Sequence, residues 1–65
     1  MQKYIERMKV EAEELDSRIK KARAALAEPP YGIDAEGLRL LGLQISAMES
    51  YSVILHQRIK HEVSK

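Results

Sequence analysis

The chain has 65 residues, with 11 basic and 10 acidic side chains, a net charge of +1 and no cysteine. A single core of this size contributes only about 3 to 5 kcal/mol, and the absence of cysteine excludes disulfides. The balanced charge argues against duplex nucleic acid as a partner. We therefore expect one small domain over residues 1–65 that gains stability by oligomerisation.

Composition and spacing exclude several further classes of function. No apolar run approaches the roughly 18 to 20 residues of a membrane span, and residues 1–7 lack the apolar centre of a secretion signal, so we expect a soluble, cytoplasmic protein without a membrane partner. No cysteine nucleophile or glycine-rich phosphate loop is present. His56 and His61 are five residues apart and do not share a helix face, so no metal site is expected. We predict no enzyme and no cofactor.

The first helix is predicted over about residues 2–28. Apolar or small side chains recur there in alternating steps of four and three, separated by strong helix formers of mixed charge. Pro29 and Pro30 lack amide donors and disfavour a helical residue before each, so they end the helix. The recurring positions are Met1, Ile5, Met8, Ala12, Leu15, Ile19, Ala22 and Leu26.

A turn over residues 29–34 leads to a second helix, predicted over about residues 35–62. Asp34 is a favourable N-cap, and Ile33 before it can pack on Leu38. The antiparallel partner of the first series then runs from Leu38, opposite Leu26, to Ile59, opposite Ile5. The sequence thus predicts an all-α fold, an antiparallel two-helix hairpin. The second series comprises Leu38, Leu41, Ile45, Met48, Ser52, Leu55 and Ile59.

Helix two carries a second apolar surface, the outer strip, formed by Leu40, Leu43, Ala47 and Ile54. At about 100° per residue it lies roughly 120° around the helix from the series that meets helix one. A large apolar side chain left in water forfeits about 1.5 to 3 kcal/mol, and helix one has no matching surplus. We therefore expect helix two to pack on helix two of another copy, giving a homo-oligomeric helical bundle.

Between these two surfaces runs a polar stripe of Gln44, Tyr51 and Arg58, each seven residues from the next. The stripe has two interpretations, which both stay open. It can fix the register of the oligomer through side-chain pairing. It can also bind a ligand, with the tyrosine stacking on a purine, the amide reading its edge and the guanidinium binding a phosphate.

Two other groups are candidates for anion binding. The hairpin brings the chain ends together, so Tyr4 and Arg7 are expected near Arg58 and His61 as a second nucleobase or phosphate site. A basic cluster near the turn is either a solvated surface at the end of helix one or an anion site. That cluster comprises Arg18, Lys20, Lys21 and Arg23, with Tyr31 in the turn.

The run LLGLQISAMESYSVILHQRI, residues 40–59, resembles a group of very short helical proteins of tailed phages that includes relatives of a crAss-like phage protein. Members resemble a helix rich in Glu and Leu, a short break, and the pattern Leu-Leu-x-x-Gln-Leu/Ile-x-Ala-Met-x-x-Tyr-x-x-Ile-Leu-x-x-Arg-Ile. The resemblance covers almost the whole chain. Helix one matches the group at Glu11, Glu14, Leu15, Arg18 and Ile19.

Similar phage helical hairpins include the anti-CBASS and Thoeris anti-defence sponges, which hold cyclic nucleotide or cyclic ADP-ribose signals between subunits. The resemblance therefore implies a sponge in the cytoplasm of a bacterial host. If the chain is a sponge, the residues expected to bind the ligand are those of the polar stripe and the chain ends, Gln44, Tyr51, Arg58, Tyr4 and Arg7. The Gly-Tyr-Arg opening of the best-known anti-CBASS sponge is absent here, so none of its ligand residues is carried over. The alternative function is a non-catalytic helical protein-protein interaction module of a phage, in which the outer strip receives a partner helix.

Overall fold

The computed structural model describes residues 3–65 and contains two helices in this range, α1 (Lys3–Ala27) and α2 (Ala35–Val63). Met1, the first position of the predicted helix-one series, and Gln2, its predicted first helical residue, lie outside the described residues. The two helices pack against each other as a hairpin of 47 × 15 × 14 Å. The predicted all-α hairpin is therefore confirmed.

The connection between the helices follows from its proline and glycine residues. α1 ends ahead of Pro29 and Pro30, and Gly32 adopts a φ of 92°, a left-handed conformation that glycine reaches without steric penalty. The Asp34 carboxylate accepts a hydrogen bond from the Gly37 amide at 2.8 Å, which satisfies one free donor at the start of α2. Asp34 is thus the N-cap that the sequence predicts.

The core of the hairpin consists of two facing rows of side chains, one from each helix. Both rows follow the predicted four and three spacing, and Leu55 at the centre is fully buried. Buried residues are Met8, Ala12, Leu15 and Ile19 from α1 and Ile45, Ser52 and Leu55 from α2, with Ile5, Met48 and Ile59 packed at their edges.

Two groups of apolar residues remain outside this core. Leu26, expected to be covered by Leu38, is 40% exposed, because it lies in the last turn of α1 where the chain leaves the helix. The outer strip is also uncovered, with Leu40, Leu43 and Ile54 each more than half exposed. Within residues 3–65, neither helix is long and apolar enough to cross a membrane.

Leu55→Ala tests how far the hairpin depends on its core. The substitution removes a fully buried side chain and leaves a cavity, so we expect a loss of about 2 to 5 kcal/mol in the free energy of unfolding. Urea denaturation followed by circular dichroism measures this loss. Val53→Ala, an exposed aliphatic position two residues away, is the control and should change stability by less than about 0.5 kcal/mol. Equal effects of the two substitutions would contradict the assigned core.

Candidate functional site

Tyr51, at the centre of the polar stripe, is tied to helix one. Its hydroxyl donates a hydrogen bond to the Glu11 carboxylate of α1. Because this bond holds the phenol proton, it raises the pKa of Tyr51, and the nearby charge of Arg58 opposes the rise. Tyr51 therefore lies at the edge of the hairpin with its ring partly exposed and its hydroxyl fixed.

A second tyrosine and glutamate pair joins the helices near the chain ends. The Tyr4 hydroxyl donates to Glu62 Oε2 at 2.9 Å, and Lys65 Nζ lies 2.9 Å from the same oxygen. Lys65 and then Tyr4 lower the pKa of Glu62, while the bond to Glu62 raises the pKa of Tyr4. This polar bridge joins the start of α1 to the end of α2.

Two shallow grooves lie beside these bridges and contain the predicted arginines. Arg58 and Ile54 lie in a groove of about 250 Å³ that also includes Glu62. Arg7 and Val10 lie in a groove of about 340 Å³ on α1 that also includes Glu11. Glu62 therefore accepts a hydrogen bond from Tyr4 and shares a groove with Arg58. Glu11 likewise accepts a hydrogen bond from Tyr51 and shares a groove with Arg7.

Gln44 is separate from the other candidates. Along the axis of α2, Gln44 lies about 10 Å from Tyr51, which is one heptad away, and about 21 Å from Arg58, which is two heptads away. Its side chain is exposed and makes no hydrogen bond within the part of the chain that the structure describes. A single chain therefore does not bring Gln44 and Arg58 to one ligand.

The opposite face of the hairpin holds a polar cluster that the sequence did not predict. Asp16 of α1 accepts a hydrogen bond from the Ser52 hydroxyl at 2.6 Å, and its other oxygen lies 2.9 Å from His56 Nε2. Ser52 and then His56 lower the pKa of Asp16. Ser52 donates to the carboxylate and has no bond to the imidazole, so the cluster lacks the arrangement in which a base activates a serine nucleophile.

The basic cluster near the turn is partly neutralised by acidic neighbours. Arg23 forms an ion pair with Glu49 of α2, and Arg18 Nη2 lies 3.5 Å from Glu14 Oε2. These contacts favour the solvated-surface interpretation over an anion site. Among residues 3–65, no group of three His, Cys, Asp or Glu side chains could hold a metal ion.

The two carboxylates of the tyrosine bridges, Glu11 and Glu62, were missed as site residues. The signal that could have found them is the heptad spacing of Tyr4 and Glu11 on α1. Extending the antiparallel pairing from the core to these flanking positions sets Glu11 opposite Tyr51. It sets Tyr4 opposite Arg58, and Glu62 follows Arg58 by one helical turn. Charged residues of mixed sign on a helix are usually solvated, so the sequence alone does not mark these two glutamates as site residues.

A family model described as Sequestin matches residues 2–61 of the chain. Comparison with curated proteins finds no match. Comparison with solved structures also finds none.

Asp16→Asn tests the cluster on the opposite face. A carboxylate with a lowered pKa stabilises the fold fully above its unfolded pKa, near about pH 4, and loses that contribution as the pH falls through its folded value. We expect the variant to melt at a lower temperature than the native protein at pH 7, and the difference to shrink below about pH 4. Thermal melts from pH 7 to pH 2.5 measure this difference. A gap that stays constant with pH would contradict the assignment, and Glu13→Gln is the control for loss of one exposed carboxylate.

Proposed function

The chain belongs to the Sequestin family, and on that premise we propose that it is a phage anti-defence sponge. It binds a cyclic nucleotide or cyclic ADP-ribose immune signal at subunit interfaces in the cytoplasm of the bacterial host, and it does so without catalysis. The family name points to sequestration, which is binding that leaves the ligand unchanged. The exposed outer strip beside Tyr51 is the observation that carries the subunit interface in this proposal.

The spacing of the outer strip supports a two-fold, antiparallel contact between two copies of α2. With Ala47 on the symmetry axis, Leu40 of one copy lies opposite Ile54 of the other, and Leu43 lies opposite Tyr51. A small residue at the axis lets two helices approach closely, while the larger side chains pack on either side. All of these positions are exposed in the single hairpin, so the contact would cover apolar surface that α1 leaves bare.

This arrangement also accounts for Gln44. A two-fold axis perpendicular to antiparallel helices keeps both polar stripes on the same side of the contact. Gln44 of one copy then lies near Tyr51 of the other, although the two are about 10 Å apart in one chain. The site would therefore be completed only by the second copy, with Tyr51 and Arg58 from one chain and Gln44 from its partner.

The chemistry of these side chains fits a ligand with bases and phosphates. The partly exposed Tyr51 ring offers a stacking surface, and its hydroxyl is already held by Glu11. Arg58 and Arg7 make no ion pair within 4 Å among residues 3–65, so both guanidinium groups are available for phosphate oxygens. Tyr4 is the further stacking candidate at the chain ends.

Calorimetry against cyclic dinucleotides, cyclic trinucleotides and cyclic ADP-ribose isomers tests the sponge. We expect at least one ligand to bind and to be recovered unchanged. Tyr51→Ala and Arg58→Ala should each weaken the affinity for this ligand roughly tenfold or more, since stacking and charged hydrogen bonds contribute about 1 to 3 kcal/mol. Tyr31→Ala, in the exposed turn, and Lys60→Ala, an exposed cation of α2, are matched controls and should leave affinity unchanged.

The mass of each variant separates a ligand site from interface side chains. Variants that keep the native mass and lose the ligand support the site. Variants that lose the native mass together with ligand binding identify the stripe as part of the subunit contact. No binding of any ligand would contradict the sponge, and ordering of the chain only with a purified partner helix would favour the interaction module.

A further inference from the structure

The groove of about 250 Å³ near the chain ends, the chain-end groove, contains His61 as well as Arg58. Ile54, Gln57 and Glu62 complete its lining. Arg58 and His61 are both exposed and stand three residues apart on α2, which sets their Cβ atoms roughly 5 to 6 Å apart on one side of the helix. One phosphate group can therefore contact both side chains.

The charges of the chain-end groove favour an anion. The negative charge of Glu62, which lines the groove, is compensated by Lys65, whose Nζ lies 2.9 Å from Glu62 Oε2. Arg58 and His61 form no ion pair within 4 Å among residues 3–65. A phosphate in this groove would thus meet a guanidinium and an imidazole without displacing a carboxylate from either.

The imidazole of His61 has a property that a guanidinium lacks. Histidine side chains gain a proton between about pH 8 and pH 5, whereas arginine is charged throughout this range. A protonated imidazole donates from both ring nitrogens and attracts a phosphate, but a neutral one carries no charge. The phosphates of cyclic nucleotides and of cyclic ADP-ribose stay ionised over the same range, so a pH-dependent affinity would arise on the protein.

The titratable neighbours within the same hairpin keep their charge over this range. Lys65 and then Tyr4 lower the pKa of Glu62, so its carboxylate stays ionised. The hydrogen bond to Glu62 raises the pKa of Tyr4 on α1, which stays neutral. The same partner raises the pKa of Lys65, which stays charged. The group of this groove whose charge changes is therefore His61.

The second copy brings one carboxylate towards the chain-end groove. In the proposed two-fold contact, Ile33 of that copy lies opposite His61, and its Glu36 lies opposite Arg58. Both oxygens of Glu36 accept hydrogen bonds of 2.7 Å from Arg39, which lowers the pKa of Glu36 and compensates its charge. The contact therefore leaves the chain-end groove suited to an anion.

We propose that His61 is a phosphate-binding residue that makes the affinity of the sponge for its ligand depend on pH. This inference rests on the proposed function, in which Arg58 binds a phosphate. Arg58 holds the phosphate throughout the range, and His61 adds a charged hydrogen bond as the pH falls. Because the complex then holds more protons than the free protein, ligand binding takes up protons and strengthens at lower pH.

The test is calorimetry of the full chain with cyclic GMP–AMP, cyclic tri-AMP and cyclic ADP-ribose at about pH 5.5 and about pH 8, near the two ends of the range in which histidine titrates. We expect a probe that binds to do so roughly three- to tenfold more tightly at the lower pH. His61→Gln should remove this difference. His61→Arg, which keeps the charge at both pH values, should bind at the higher pH about as tightly as the native protein binds at the lower one.

His56→Gln is the matched control, because His56 is the other histidine of α2 and lies on the opposite face, with Nε2 at 2.9 Å from Asp16. This variant should keep the native pH dependence. The pH profile is the deciding readout, since a merely structural loss would lower the affinity equally at both pH values. Binding that does not change with pH, or a pH dependence that survives His61→Gln, overturns this inference and leaves the sponge standing. No binding of any probe overturns both.

Discussion

The structure depends on a mismatch between the apolar surface of α2 and what α1 can cover. One helix packs along one side of another, and the row around Leu55 uses that side fully. The outer strip is not covered by α1, and Leu40 and Leu43 are each more than half exposed. In the proposed assembly a second copy covers this strip, and the equal spacing of Leu40 and Ile54 from Ala47 suits a two-fold contact.

This constraint determines where the polar groups lie. Tyr51 and Arg58 border both the hairpin core and the outer strip, so any subunit that covers the strip also forms a wall beside them. The Tyr51 bridge to Glu11 brings helix one into the same place. In the proposed site, the ligand-binding side chains come from three helices, two of one hairpin and one of another. A small chain can bind a ligand in this way without building a pocket of its own.

The sequence predicted the parts of the fold that local rules determine. The heptad rows, the break at Pro29 and Pro30 and the Asp34 cap each follow from local rules that α1 and α2 obey. Leu26 departs from its row because the pattern does not reveal that the chain turns away before it is covered.

The polar contacts were harder to predict for a physical reason. Glu11, Asp16 and His56 stand one position outside the core rows, where charged residues are usually solvated and pairing depends on the exact register of two helices. Ser52 matched the core pattern by its small size, yet its hydroxyl is satisfied only by a residue of the other helix. The five predicted ligand residues, Gln44, Tyr51, Arg58, Tyr4 and Arg7, stay predictions, since a single hairpin holds only part of the proposed site.

Oxidative cross-linking of Ala47→Cys tests the subunit contact most directly, because residues 3–65 contain no other cysteine and the position lies on the proposed two-fold axis. Two copies packed through the outer strip bring this residue within the roughly 4.4 to 6.8 Å between Cα atoms that a disulfide requires. The two-fold contact predicts a covalent dimer that retains native helicity and ligand binding, while Ser46→Cys, one residue away on a different side of α2, stays uncrosslinked. A monomeric Ala47→Cys protein, or equal cross-linking of both variants, would contradict it.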